Sequence, residues 1–144
     1  MRNEEIEVFL KNRRLRTRQI DKEKIKSLVN SSRTNAEVVL SMVLTEKSAT
    51  VIFREIYESI RQLGDVQWWL LGYEPLDHDV SLIIFKDIRI ITLKYYLLDR
   101  FKKIRHDINY RGFTASILQA KEIIAFWNET SEEIIKFILE RCNY

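Results

Sequence analysis

At 144 residues the chain has the length of one domain, and folding at this size buries roughly two-thirds of the surface that the unfolded chain exposes. Hydrophobic residues at 46% and charged residues at 31% exclude a low-complexity or disordered chain, and no apolar run reaches the roughly 20 residues of a membrane span. Three glycines and one proline leave too little turn chemistry for a sandwich or barrel of many short strands, so the composition predicts helices.

The charge is unevenly placed. Residues 1–33 hold ten Lys or Arg against five Asp or Glu, and residues 34–144 hold 14 against 16. Such a basic excess suits phosphate contacts, although charge alone favours a solvated arm. One cysteine, Cys142, cannot form an intramolecular disulfide, and the charged start Met1-Arg-Asn-Glu-Glu5 lacks the apolar stretch of a signal peptide. Both features point to the cytoplasm.

In chain order, residues 1–20 read as a basic arm: Lys11, Arg13, Arg14, Arg16 and Arg18 alternate with Ile6, Phe9, Leu10, Leu15 and Ile20 in no clean period, which predicts loose packing. A single helical domain over 21–144 follows. Asp21 offers an N-cap oxygen, and Ile25, Leu28, Val29, Ser32, Ala36, Val39, Leu40 and Val43 recur at mostly three- and four-residue spacing, predicting a helix over 22–44. Thr45-Glu-Lys-Ser48 interrupts the pattern, with Ser48 placed to cap. Ile52, Ile56, Ile60, Leu63 and Leu70 then line a long helix that ends before Gly72. Pro75 biases Glu74 away from helical angles, and Asp77 can cap a short helix over 77–88, with Asp79 favourably placed near the positive end of the dipole.

The segment 90–111 is the most informative. Leu93, Leu97, Phe101, Ile104 and Ile108 are spaced four, four, three and four, and at 100° per residue they form one stripe about 80° wide. Gly112 supplies a left-handed closing position. Thr114 can begin a last helix through Ile117, Leu118, Ile124, Trp127, Ile134, Ile138 and Leu139. Thr130-Ser-Glu-Glu133 resembles a capping box, so this helix either runs on to about Arg141 or restarts near Ser131; continuity is favoured. Long helices with short connections predict an all-α, up-and-down bundle of four to five helices.

There is no Gly-rich phosphate loop, no Cys/His zinc spacing, no Gly-x-Ser-x-Gly elbow and no His-Glu-x-x-His, so neither a cofactor nor a metal is expected. Asp77-His78-Asp79 resembles a metal cluster until geometry is considered, because adjacent helical residues diverge by about 100°; capping explains it better. The remaining constellation is Arg100-Phe-Lys102-Lys-Ile-Arg105-His106-Asp-Ile-Asn109-Tyr110-Arg111-Gly112. Arg105 falls on the edge of the core stripe and should be half-buried, its donors requiring a facing carboxylate, a phosphate or a carbonyl from another subunit. His106 projects toward solvent. Trp68, Trp69 and Trp127 could stack bases, although tryptophan at helical spacing is more often core or interface.

The run Arg105-His-Asp-Ile-Asn-Tyr-Arg-Gly112 resembles the Arg-Asn-x-x-Asp-Tyr version of the signature of HEPN domains, a superfamily of small helical proteins. Tyr57-Glu-Ser-Ile-Arg61, Leu70-Leu-Gly-Tyr73 and Asp77-His78 resemble that family's second helix, its Gly-Tyr connector and the His opening its third helix. Asp21-Lys-Glu-Lys-Ile25 resembles the start of its first helix, so the similarity spans about 21–140. The resemblance implies a homodimer whose signature helices line a shared cleft, metal-independent ribonuclease activity in many members, and partnership of some members with a minimal nucleotidyltransferase in toxin–antitoxin modules. It implies Arg105, His106, Tyr110 and Arg100 as catalytic candidates, and Asn109, Lys102 and Arg111 as contacts to RNA or nucleotide.

The chain departs from the nuclease pattern at one point. The His expected four to six residues after Arg105 would fall at Tyr110, while counting from Arg100 reaches His106 but puts Phe101 in place of the usual polar neighbour. Tyrosine, titrating near 10, is poor at the proton transfers that histidine performs near neutrality. Binding without cleavage therefore stands beside cleavage. Two further readings remain open: a non-catalytic adaptor that pairs with itself or with a nucleotidyltransferase, and an Arg-rich arm that anchors nucleic acid independently of any cleft.

Overall fold

In the computed structural model, residues 1–88 and 94–143 are described. The elements are α1 (Asn3–Lys11), β1 (Leu15–Thr17), α2 (Lys22–Leu40), α3 (Ala49–Leu70), β2 (Tyr73–Pro75), α4 (His78–Ile83) continued by a 3-10 turn over Ile84–Asp87, α5 (Tyr95–Arg111) and α6 (Ile117–Cys142). The fold is an all-α bundle with one two-stranded ribbon. α3 buries Ile52, Phe53, Ile56, Tyr57, Ile60, Leu63, Val66 and Trp68, residues spread over most of its circumference. A helix apolar on that many sides can satisfy itself only at the centre, and α3 packs against α2, α6, α4 and α5.

Local chemistry sets the ends. The Asp21 carboxylate accepts from the Lys24 amide at 3.1 Å and starts α2. That helix stops at Leu40, short of the expected 44, where the Ser41 hydroxyl turns back to the Val38 carbonyl at 2.6 Å. Ser48 occupies the position before α3 but does not cap it: its hydroxyl donates to the Val43 carbonyl at 2.7 Å and accepts from the Thr45 amide at 2.8 Å, tying the loop instead. α6 starts from Ser116 rather than Thr114, because Ser116 and Gln119 form a reciprocal capping box. Thr130 makes no second box. Its hydroxyl donates to the Phe126 carbonyl within the helix at 2.7 Å, and α6 runs unbroken.

Gly112 closes α5 at φ 68°, in the left-handed region. Of the stripe on that helix, Phe101 and Ile108 are buried and Leu97 and Ile104 partly so, while Leu93 lies outside the described residues. Phe101 meets Phe53 of α3 at 5.9 Å between ring centroids and Phe126 of α6 at 5.6 Å, both edge to face. This aromatic trio fixes the depth and register of α5.

The first twenty residues do not pack loosely. α1 buries Ile6, β1 buries Leu15, and both join Trp68, Val80 and Ile84 in a second apolar cluster. β1 pairs antiparallel with β2, Leu15 opposite Pro75 and Thr17 opposite Tyr73. The arm's apolar residues lack a helical period because a helix and a strand divide them, and the strand finds its partner nearly 60 residues away in sequence. Leu15 is 2% exposed, so Leu15→Ala should cost about 2–5 kcal/mol, the range for a buried leucine. Urea unfolding should show a lower midpoint; an unchanged one would return the arm to a detachable appendage.

Candidate functional site

One stripe of α3 is committed to α4. Tyr57, Gly64 and Trp68 are spaced seven and four, and each meets a residue between 78 and 81. The Tyr57 ring lies 6.3 Å from the His78 ring. Asp65, beside the stripe, accepts from the Ser81 hydroxyl at 2.6 Å, and the Trp68 indole donates to the Val80 carbonyl at 2.7 Å. Gly64 sits so close to Ser81 that a methyl group there would overlap the Ser81 carbonyl oxygen. Asp77 fixes the start of α4, accepting from the Val80 amide at 2.9 Å and from Arg14 Nε at 2.7 Å. The capping role expected of Asp77 is therefore present. His78, one residue on, faces the bundle.

α5 supplies the opposite wall. One turn beyond the Phe53–Phe101 contact on both helices, the Arg105 guanidinium lies 5.5 Å over the Tyr57 ring. Lys102, His106 and Tyr110 recur every four residues along the neighbouring ridge, and the His106 and Tyr110 rings are 4.8 Å apart. Lys102 Nζ reaches Asp79 Oδ1 at 2.6 Å, joining the walls. Between them opens a cleft of about 470 Å³ lined by Tyr57, His78, Asp79, Lys102, Lys103, Arg105, His106 and Tyr110.

The two arginines beside this cleft differ in their partners. Arg61 is held by Asp65 at 2.7 Å and, through Nε and a second nitrogen, by both oxygens of Glu58. Arg105 is half-buried, as its place on the helix predicted, and has no ion-pair partner among the described residues. Burial, then Arg61, then Arg105 depress the pKa of His78 below its ordinary value. Burial also pushes the Tyr57 phenol up to about 12. For Glu58, burial acts upward but the Arg61 hydrogen bond and charge prevail, leaving a carboxylate. At neutral pH the cleft thus presents a neutral imidazole, a protonated phenol and an uncompensated guanidinium.

Four of the residues singled out in the sequence, Lys102, Arg105, His106 and Tyr110, come together here. Arg100 does not line the cleft; it pairs with Glu122 of α6 at 2.8 Å. Arg111 lies 3.9 Å from Asp107 on its own helix, and Asn109 is exposed outside the cleft. Tyr57, His78, Asp79 and Lys103 entered the sequence analysis only as parts of motifs or of a capped helix start, and none was expected as a site residue. Tyr57 reads as one more core residue of an apolar helix, and His78 reads as a neighbour of a cap. The pairing of a histidine at one helix start with a second four residues before Tyr110 is a signal only once α4 and α5 are known to face one another.

A larger depression of about 740 Å³ lies along residues 16–23 and Glu74. Its arginines are engaged: Arg16 Nε meets Glu74 at 2.7 Å, and Arg18 stacks 3.9 Å over the Trp69 ring. Trp68 and Trp127 are buried core. No described helix is long and apolar enough to cross a membrane. Comparison with known proteins gives no family model, no curated protein and no solved structure that matches the chain.

The folded chain holds His78 with a lowered pKa, so between that pKa and the unfolded value near 6.5 the unfolded state binds more protons and stability falls as pH drops. Arg105→Ala removes one of the causes. The His78 ring-proton titration followed by NMR should have its midpoint below 6.5 in the parent chain and should move upward in this variant. A midpoint that ignores the substitution would separate the two residues electrostatically.

Proposed function

We propose that the cleft binds a phosphate of RNA or of a nucleotide, and that the chain is a HEPN-type protein of a toxin–antitoxin or nucleotidyltransferase-associated module, acting as a homodimer. The observation that carries the phosphate reading is Arg105. A half-buried guanidinium ordinarily finds a carboxylate, yet Glu58 and Asp65 are taken by Arg61, and Asp79 by Lys102. A phosphate oxyanion supplies the missing partner, and Lys103 adds a second positive charge on the same cleft wall. The HEPN reading is supported by the helical bundle and by the Arg105 motif lying on a helix that faces a cleft.

The residues present suit metal-independent cleavage of RNA. His78, held neutral, takes the proton of the 2′-hydroxyl as its oxygen bonds to phosphorus. The bond from phosphorus to the 5′-oxygen breaks, and the His106 imidazole supplies that oxygen's proton. Arg105 and Lys103 meet the charge that grows on the phosphate. The products are a 2′,3′-cyclic phosphate and a 5′-hydroxyl. His78, from α4, fills the proton-transfer role for which Tyr110 is poorly fitted.

A second reading, the non-catalytic adaptor, is favoured by exposed apolar groups in the stretch 110–118: Tyr110, Phe113 and Leu118 are each more than half exposed. Such a surface suits pairing with a second copy or with a nucleotidyltransferase. Incubation with total RNA in EDTA separates the two. The parent chain should yield cyclic-phosphate ends, with rates lowered about 10²–10³-fold in Arg105→Ala and about 10²–10⁴-fold in His106→Ala. Equal products from parent and Arg105→Ala would remove the catalytic proposal, and no products from either would leave the adaptor.

A further inference from the structure

Tyr57 is 1% exposed, and its hydroxyl has no hydrogen-bond partner. Buried hydroxyls are nearly always paired, because an unpaired one forfeits its hydration and receives nothing in return. The Tyr57 ring belongs to the apolar core but also lines the cleft, beside the cations of α5. His78 of α4 and Arg105 of α5 lie against the ring, and Arg61, Glu58 and Asp79 are the other charged groups that act on the phenol. Arg61 and Glu58 are satisfied by one another, and Asp79 is held by Lys102. None of these groups closes the phenol's hydrogen bond. The guanidinium over the ring has no ion pair among the described residues, so no ion pair opposes its shifting toward an arriving anion, and access to the buried hydroxyl requires such a shift.

We infer that the Tyr57 hydroxyl is an anion-binding donor of this cleft, giving its hydrogen bond to a non-bridging phosphate oxygen that Arg105 also contacts. The inference rests on the phosphate reading above and names a further binding residue for it. With its pKa pushed up to about 12, the phenol keeps its proton at every pH at which the protein is handled. It is therefore a fixed donor and takes no part in proton transfer. The free protein carries the unpaired hydroxyl as a cost to stability, and the bound anion removes that cost. Binding sites commonly hold groups that fit the ligand at the expense of the empty fold.

Tyr57→Phe separates these two sides, since it deletes only the oxygen. Two probes are used: inorganic phosphate, and a short RNA with 2′-O-methyl groups that cannot be cleaved. Calorimetry should show binding of both probes weakened about tenfold or more, the usual scale for a hydrogen bond to a charged group. Thermal unfolding of the free variant should occur at the same temperature as the parent or higher. Unchanged affinity for both probes would overturn the inference while leaving Arg105 and the RNA reading in place. A marked loss of thermal stability would overturn it as well, by showing that the hydroxyl serves the fold. Weakened phosphate binding in a chain whose parent ignores the RNA would support the donor and remove the RNA reading alone. Failure of the parent to bind either probe would overturn both.

Discussion

The site depends on how closely α4 lies against α3. At Gly64 the two backbones approach until no side chain fits between them, and the Asp65–Ser81 and Trp68–Val80 hydrogen bonds hold them there. Given that contact, the remainder is register. His78 precedes Ser81 by three residues and Tyr57 precedes Gly64 by seven, two turns of helix, so the imidazole is brought beside the phenol. The aromatic trio of Phe53, Phe101 and Phe126 does the same for α5, since one further turn on each helix stacks Arg105 over Tyr57. Apolar packing and one glycine thus aim three polar side chains that belong to three different helices.

Electrostatics then distinguishes groups that sequence treats alike. Arg61 and Arg105 are both partly buried arginines on core helices, but Arg61 is clamped between Glu58 and Asp65 while Arg105 makes no ion pair among the described residues. The first arginine is structural by this measure. The second leaves positive charge directed at an open cleft, and burial first, then Arg61 and Arg105, keep His78 from accepting a proton early. The arginines in and flanking β1 follow the first pattern. Arg14 and Arg16 find Asp77 and Glu74 across the ribbon, and Arg18 lies on Trp69. The basic excess of the N-terminal quarter therefore serves in part to fasten the ribbon to the bundle.

The helices were legible because their signals are local: apolar spacing for α3 and α6, an N-cap aspartate for α2 and α4, and a left-handed glycine after α5. The half-burial of Arg105 followed from its angle on the helix alone. What could not be read was everything set by contacts distant in sequence. Leu15 among arginines carries no sign that Pro75 will lie opposite it. Tyr57 opens a recognisable motif, but nothing local in sequence places it in a site until His78 and Arg105 arrive from elsewhere. Ser48 has the composition of a cap, but the loop carbonyl of Val43 competes for its hydroxyl and wins. Arg100 and Arg105 are both arginines of the motif, and the position of Glu122 on α6 decides that the first is the paired one.

The claim at the centre of this account is that an unpaired guanidinium between α3 and α5 receives a phosphate. Side-chain NMR of selectively labelled arginine and histidine, followed while an uncleavable dinucleotide is added, addresses it without reliance on turnover. Saturable shifts at Arg105 Nε and the His78 ring, with Arg61 unmoved, are the predicted result. Shifts confined to Arg16 and Arg18, or none at Arg105 at saturating ligand, would contradict it.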